Sequence, residues 1–205
     1  MAVRRDFDAA AAAWDEKPHR VRLAGDIATA IQARLPVSKG WHAMDLGCGT
    51  GLLTLQLAPL VRDIVGVDGS RGMLEKLDEK VRAAGCSNVR TLYCDLERDE
   101  LPEGTFDLIT AAMLLHHIPD VAQLIDALRR RLQPGGWLAL ADLDQEDGSF
   151  HEDATGVFHN GFSRECLLAL LSDAGFGEVT VAPAAEVVKG ERHYPVLLAV
   201  GRRCR

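Results

Sequence analysis

Seven residues, Asp45-Leu46-Gly47-Cys48-Gly49-Thr50-Gly51, constrain this chain more than any other stretch. Glycines at alternate positions let a backbone turn tightly and approach a ligand closely, because no Cβ stands in the way. The apolar run Trp41 to Leu46 before them reads as a strand, and Leu52 to Leu60 after them as a helix. A glycine turn between strand and helix is the context that lifts such a motif above chance. Leu52 stands where a dinucleotide fingerprint has its third glycine, which counts against a nicotinamide cofactor. A turn that needs glycine only for its geometry is the plainer alternative.

The rest of the chain continues the alternation. Strands are expected at Asp63 to Asp68, Val89 to Cys94, Phe106 to Ala112 and Trp137 to Leu143. Helices are expected at Arg71 to Ala84, stopped by Gly85, at Val121 to Leu132, closed by Pro134-Gly135-Gly136, and at Ser163 to Gly175. Short connections and Val, Ile and Leu-rich strands describe a parallel sheet covered on both faces. Asp6 to Leu35 reads as two helices broken at Lys17-Pro18, so residues 1–37 form a helical cap. Two short closing strands, Val179 to Ala182 and Val196 to Val200, are joined by a loop around Pro183 to Gly190. One domain, 1–205, is expected. The acidic stretch 144–161, with two histidines, reads as a lid loop.

Charge and cysteine usage narrow the partners. A net charge of −7 repels a phosphate backbone, so no nucleic-acid partner is expected. Five cysteines, an odd number without a CxxC pair, suit a reducing compartment. With no long apolar span and a poor signal-peptide core, the expectation is a cytoplasmic protein without a membrane partner.

The motif Asp45 to Gly51 resembles the first motif of class I S-adenosylmethionine-dependent methyltransferases. The resemblance extends from about Trp41 to Gly201. Val65-Gly66-Val67-Asp68, Cys94-Asp95-Leu96, Phe106-Asp107-Leu108-Ile109 through Leu115-His116-His117-Ile118-Pro119-Asp120, and Pro134-Gly135-Gly136 follow in the family's order. The last part of the segment is similar to the ubiquinone/menaquinone-biosynthesis-type branch. The resemblance implies a Rossmann-like, doubly wound α/β fold of seven strands with an antiparallel last strand. It implies S-adenosylmethionine as cofactor and S-adenosylhomocysteine as product. It places Asp45, Gly47, Cys48, Gly49 and Gly51 in the cofactor turn, Asp68 and Gly69 at the ribose, and Asp95 and Leu96 at the adenine. Met73, Ala111, His116 and Trp14 complete the expected cofactor set, an amphipathic capping helix being the other reading of Trp14. A helix N-cap is the other reading of Asp68, and a solvated loop residue the other reading of Asp95.

A small-molecule methyl acceptor would sit above the carboxyl ends of the strands. His117 is the first candidate for a base or acceptor contact there, with Asp142 and Asp144 behind it; a residue that only shapes the cofactor pocket is the other reading of His117. The carboxylates and histidines of 142–159 match no ligand spacing, so no metal is assigned. A cofactor-binding sensor or subunit without catalysis is the competing function.

Overall fold

The computed structural model describes residues 6–204. The first five residues of the expected cap and Arg205 lie outside the described residues. Seven strands form one sheet in the order β3-β2-β1-β4-β5-β7-β6. They are β1 His42–Leu46, β2 Asp63–Asp68, β3 Val89–Tyr93, β4 Phe106–Ala112, β5 Leu132–Leu143, β6 Phe176–Lys189 and β7 Arg192–Arg203. β7 runs antiparallel to both β5 and β6, and the other pairs are parallel. This is the doubly wound seven-stranded sheet with the reversed last strand. The order turns back at β1 and β4, which opens a crevice above their carboxyl ends.

Alternation within the strands sorts the core into two layers. Ala43, Leu108, Ala139 and Leu198 face α2 (Pro18–Arg34) and α3 (Leu52–Leu57). Met44, Ile109, Leu138 and Leu197 face α5 (Val121–Arg131) and α6 (Arg164–Asp173). Successive strand side chains point to opposite faces, so a strand buried on both sides is apolar throughout. α4 (Arg71–Ala84) begins at Ser70, whose hydroxyl accepts from the Met73 amide, and ends on Gly85 in the left-handed region. Asp120 and Ser163 cap α5 and α6 in the same way.

The N-terminal segment folds as a short helix, α1 (Phe7–Ala10), a 3-10 turn to Glu16, and then α2 from Pro18. Lys17 is extended, as a residue before proline should be.

Two expectations need correction. β6 and β7 are not short strands joined by a long loop: they form a hairpin from Phe176 to Arg203 that turns at Gly190. Pro183 lies inside β6, where its missing N–H is tolerated because β6 is the sheet edge. The register shift between Pro183 and Ala185 absorbs the distortion. Similarly, β5 starts at Leu132 rather than Trp137, and Pro134 to Gly136 bulge within it. Among the described residues no helix is long and apolar enough to cross a membrane.

Candidate functional site

Above the carboxyl ends of the strands lies one cavity of about 1510 Å³. A pocket for a single drug-sized ligand is ~300–1000 Å³, so this one has room for two small molecules.

The glycine turn forms one end. Gly47, Gly49 and Gly51 all have positive φ, at 67°, 53° and 79°. A Cβ on Gly47 would stand 2.9 Å from Leu114 Cδ1. The Gly47 and Cys48 amides both donate to the Val67 carbonyl, which pins the turn to the end of β2. Gly51 does not line the cavity: its Cβ would fall 2.2 Å from Leu77 Cδ1, so it lets α3 start against α4. Burial pushes the Cys48 thiol well up, helped by the Asp68 and Asp45 carboxylates, which disfavours its thiolate.

Asp68 stands beside the turn. Its Oδ2 accepts from the Gly49 amide and its Oδ1 from the Ser70 amide, both at 2.8 Å. Burial holds the carboxyl above its ordinary range against those two bonds. A carboxylate offers about four lone-pair directions, so Asp68 keeps acceptor capacity beyond these bonds. Gly69, Met73, Asp95 and Leu96 continue the wall on this side. The Asp95 Oδ1 accepts from the Glu97 amide at 3.1 Å in a local turn.

Asp45 lies beneath the turn, 1% exposed. Its Oδ2 accepts from Thr54 Oγ1 (2.6 Å) and its Oδ1 from Thr110 Oγ1 (2.8 Å). Asp45 thus ties α3 to β4. Burial raises its carboxyl to about 6.

The N-terminal segment closes over the turn. Asp8 accepts from Ser70 Oγ (2.6 Å) and the Gly72 amide (2.7 Å), which hold its carboxyl below the usual range. Asp15 accepts from Thr50 Oγ1 (2.6 Å) and pairs with Lys80 (2.7 Å). These bonds bring Phe7 and Trp14 to the cavity.

The other end is built on the turn after β4. His116 is 2% exposed and its Nδ1 lies 2.7 Å from Asp142 Oδ1. The carboxylate can only accept, so Nδ1 carries the proton and Nε2 is the basic nitrogen. His117 Nδ1 donates to the Gly156 carbonyl at 2.7 Å, and its ring meets Phe7 edge-on at 5.5 Å. His151 packs 4.9 Å from His116. The segment 144–161 is tied down at many points: the Phe158 amide donates to the His116 carbonyl, Ser149 bonds Tyr194, and Phe150 is buried. In this structure the segment packs along one wall of the cavity. Among the described residues no three His, Cys, Asp or Glu side chains are grouped to hold a metal ion.

A model of the methyltransferase domain matches residues 43–136. An uncharacterised methyltransferase of Schizosaccharomyces pombe is 32% identical over 162 residues, 72% of this chain and 57% of that one. The demethylmenaquinone methyltransferase of Geobacillus kaustophilus is 30% identical over 118 residues, 56% of this chain and 50% of the relative. The chain belongs to the class I S-adenosylmethionine-dependent methyltransferase family. It spans about half the length of the curated relatives it matches. Among solved structures, a chain in the complex of a methyltransferase with the Haloferax volcanii Trm112 methyltransferase activator has a TM-score of 0.78 and 21% identity, covering 100% of each chain. The S-adenosylmethionine complex of Haemonchus contortus phosphoethanolamine N-methyltransferase 2 has a TM-score of 0.71 at 18% identity, over 87% of this chain and 52% of the other. Those likenesses are likenesses of fold.

Within this family's fold, most of the expected residues converge. Trp14, Asp45, Gly47, Cys48, Gly49, Asp68, Gly69, Met73, Asp95, Leu96, His116 and His117 line the cavity. Four expected residues stand elsewhere. Gly51 is the helix-entry glycine described above. Ala111 points into the α5–α6 layer, because strand alternation gives the cavity side to its neighbour Ala112. Asp142 is fully buried behind His116. Asp144 closes a turn, accepting from the Gln145 amide, and its own amide donates to the Pro195 carbonyl. Phe7, His19, Arg20 and Lys189 also line the cavity, as does His151 from the 142–159 segment. His151 sat in a segment noted for its histidines; Lys189 was hidden in an expected loop.

Proposed function

We propose that this chain binds S-adenosylmethionine and transfers its methyl group to a small-molecule acceptor. The observation that carries the reading is Asp68 joined to the glycine turn. A half-buried carboxylate with acceptor capacity left suits a cis-diol, and the left-handed backbone of Gly47 and Gly49 lines the cavity beside it. The residues present therefore fit the cofactor. When bound, it supplies a methyl group already activated on a sulfonium sulfur.

The protein's part is placement and proton handling. Holding acceptor and methyl in line can contribute ~7–11 kcal/mol. Phe7, Trp14 and the 144–161 wall exclude water from the reacting end. His116, oriented by Asp142, takes the acceptor's proton on Nε2, and the buried carboxylate steadies the imidazolium that forms. His117 is the strut between the wall and Phe7. The histidine–carboxylate pair on the cavity wall favours an enzyme over a cofactor-binding sensor, which has no use for a base. The likeness to demethylmenaquinone methyltransferases suits a small acceptor rather than a macromolecule.

S-adenosylhomocysteine should raise the melting temperature, by the equivalent of about 2.7 kcal/mol at a hundredfold excess over its Kd. Asp68→Ala should weaken its binding ~10- to 100-fold, from charge-assisted bonds worth ~1.5–3 kcal/mol. Calorimetry on the folded variant checks this. Unchanged affinity returns Asp68 to a purely structural role, and no thermal shift in the wild type removes the reading.

A further inference from the structure

Residues 6–16 lie along the cavity as a strap with almost no core of its own. Among them only Ala11 is buried. Polar ties fix the strap at both ends. At its tip, Asp8 Oδ1 accepts from Ser70 Oγ at 2.6 Å and from the Gly72 amide at 2.7 Å. Gly72 is part of that seat: a Cβ there would stand 3.1 Å from the Asp8 carbonyl oxygen and 3.2 Å from its Cα. At the root, Asp15 accepts from Thr50 Oγ1 and pairs with Lys80. Arg20 of α2 donates to the Trp14 carbonyl and lies 3.5 Å over the Trp14 ring. Lys17 follows in an extended conformation, φ −89° and ψ 105°, and separates the strap from α2. α2 has its own anchorage in the core through Leu23, Ile27 and Ile31.

The strap reaches both ends of the cavity. Ser70 is shared between it and the proposed ribose site: the hydroxyl donates to Asp8 and the amide to Asp68. Phe7 and Trp14 line the cavity with their rings 6.0 Å apart, and Phe7 meets the His117 ring edge-on at 5.5 Å. A segment that buries little apolar surface and rests on exposed hydrogen bonds opens at far lower cost than the whole domain unfolds. Lys17 can absorb the rotation, as hinge residues at the ends of elements do. Arg20 keeps Trp14 with α2, so the tip at Phe7 and Asp8 travels furthest and uncovers the Asp68 side of the cavity.

We propose that residues 6–16 are a gate on the cofactor site, latched shut by Asp8 on Ser70 and Gly72, and that S-adenosylmethionine and S-adenosylhomocysteine exchange only while it stands open. This rests on the methyltransferase reading and adds a conformational step to it. A gate that is mostly closed lowers the association rate constant by the fraction of time it is open, and a weaker latch raises that fraction. A segment that merely touched the bound ligand would leave association alone and alter dissociation.

Stopped-flow measurement of S-adenosylhomocysteine association and dissociation tests this, on the wild type, Asp8→Ala and Gly72→Ala, each first shown to be folded by its melting curve. Asp8→Ala should raise the association rate constant at least fivefold. Gly72→Ala keeps the Asp8 carboxylate but crowds its seat, and should raise that constant at least twofold. Alanine is the better helix former, so the Gly72→Ala protein should melt no lower than the wild type, which separates a loosened strap from a loosened domain. The gate is overturned if neither variant speeds association, or if Asp8→Ala speeds dissociation alone. Absence of binding in the wild type removes the methyltransferase reading and the gate with it, whereas binding with unchanged association in both variants removes the gate alone.

Discussion

His116→Gln should slow methyl transfer from the saturated complex at least ~100-fold while leaving S-adenosylhomocysteine affinity within about threefold. The acceptor for the assay comes from a screen with labelled methyl cofactor. Asp142→Asn should act through the same imidazole. Asp142 is fully buried, and its Oδ1 accepts from both His116 Nδ1 and the Leu143 amide. Asparagine can keep those two bonds but not the charge that steadies an imidazolium. The two losses should be far from additive, because the residues form one unit. His117→Asn should cost less in rate and more in the stability of the 144–161 wall, since its Nδ1 is spent on the Gly156 carbonyl. If His117→Asn abolishes transfer and His116→Gln does not, the base lies on the other histidine. If the Asp142→Asn and His116→Gln effects simply multiply, the pair is not a unit. Removing His116 also strands a buried carboxylate, so melting curves must show a folded variant before rates are compared.

The difference between these two histidines marks where sequence stops being legible. β1 to β4 could be read because each is a short apolar run between glycines or charges, and the caps at Ser163 and Gly85 are local chemistry. The cavity-lining residues up to Leu96 follow from motifs within a few residues of a strand end. His116 and Asp142 are 26 positions apart, and only the pairing of β4 with β5 brings the end of one beside the other. Both histidines stand on the same turn, so their order along the chain says nothing of which one meets a carboxylate. Ala111 and Ala112 differ for a related reason: one residue along a strand changes the face. The β6–β7 hairpin hid behind Pro183, a residue that argues against a strand unless the strand is known to be an edge. With β6 read as a loop, Lys189 could not be placed against α2.

Asp45→Asn should make the protein more stable at neutral pH and change little at pH 4. The Asp45 carboxyl is 1% exposed and titrates at about 6, mainly because burial penalises its charge, against an ordinary 3.8. A folded-state value raised above the unfolded one favours the folded state fully below the unfolded value, and that stability is lost as pH rises through the folded value. Between pH 4 and 6 the folded protein holds a proton that the unfolded chain has released, so its stability falls with rising pH. At ~1.4 kcal/mol per pH unit the interval amounts to about 3 kcal/mol. Asparagine keeps the local bonding: one hydroxyl still donates to its oxygen, while Thr110 can accept from its amide and turn its own proton to the Met44 carbonyl, 3.4 Å away. The quantity to measure is the difference in unfolding free energy between variant and wild type across that range, which cancels carboxylates common to both, such as the lowered Asp8 and Asp147. A difference that does not grow with pH would mean that Asp45 ionises as easily folded as unfolded. The same variant asks why a costly carboxylate sits under the turn. On the proposed reading the ligand's sulfonium is positive and the product's thioether is not, so losing the Asp45 charge should weaken S-adenosylmethionine more than S-adenosylhomocysteine. Equal weakening of both would make Asp45 a tie between α3 and β4 and no part of the charge the cavity presents to its ligand.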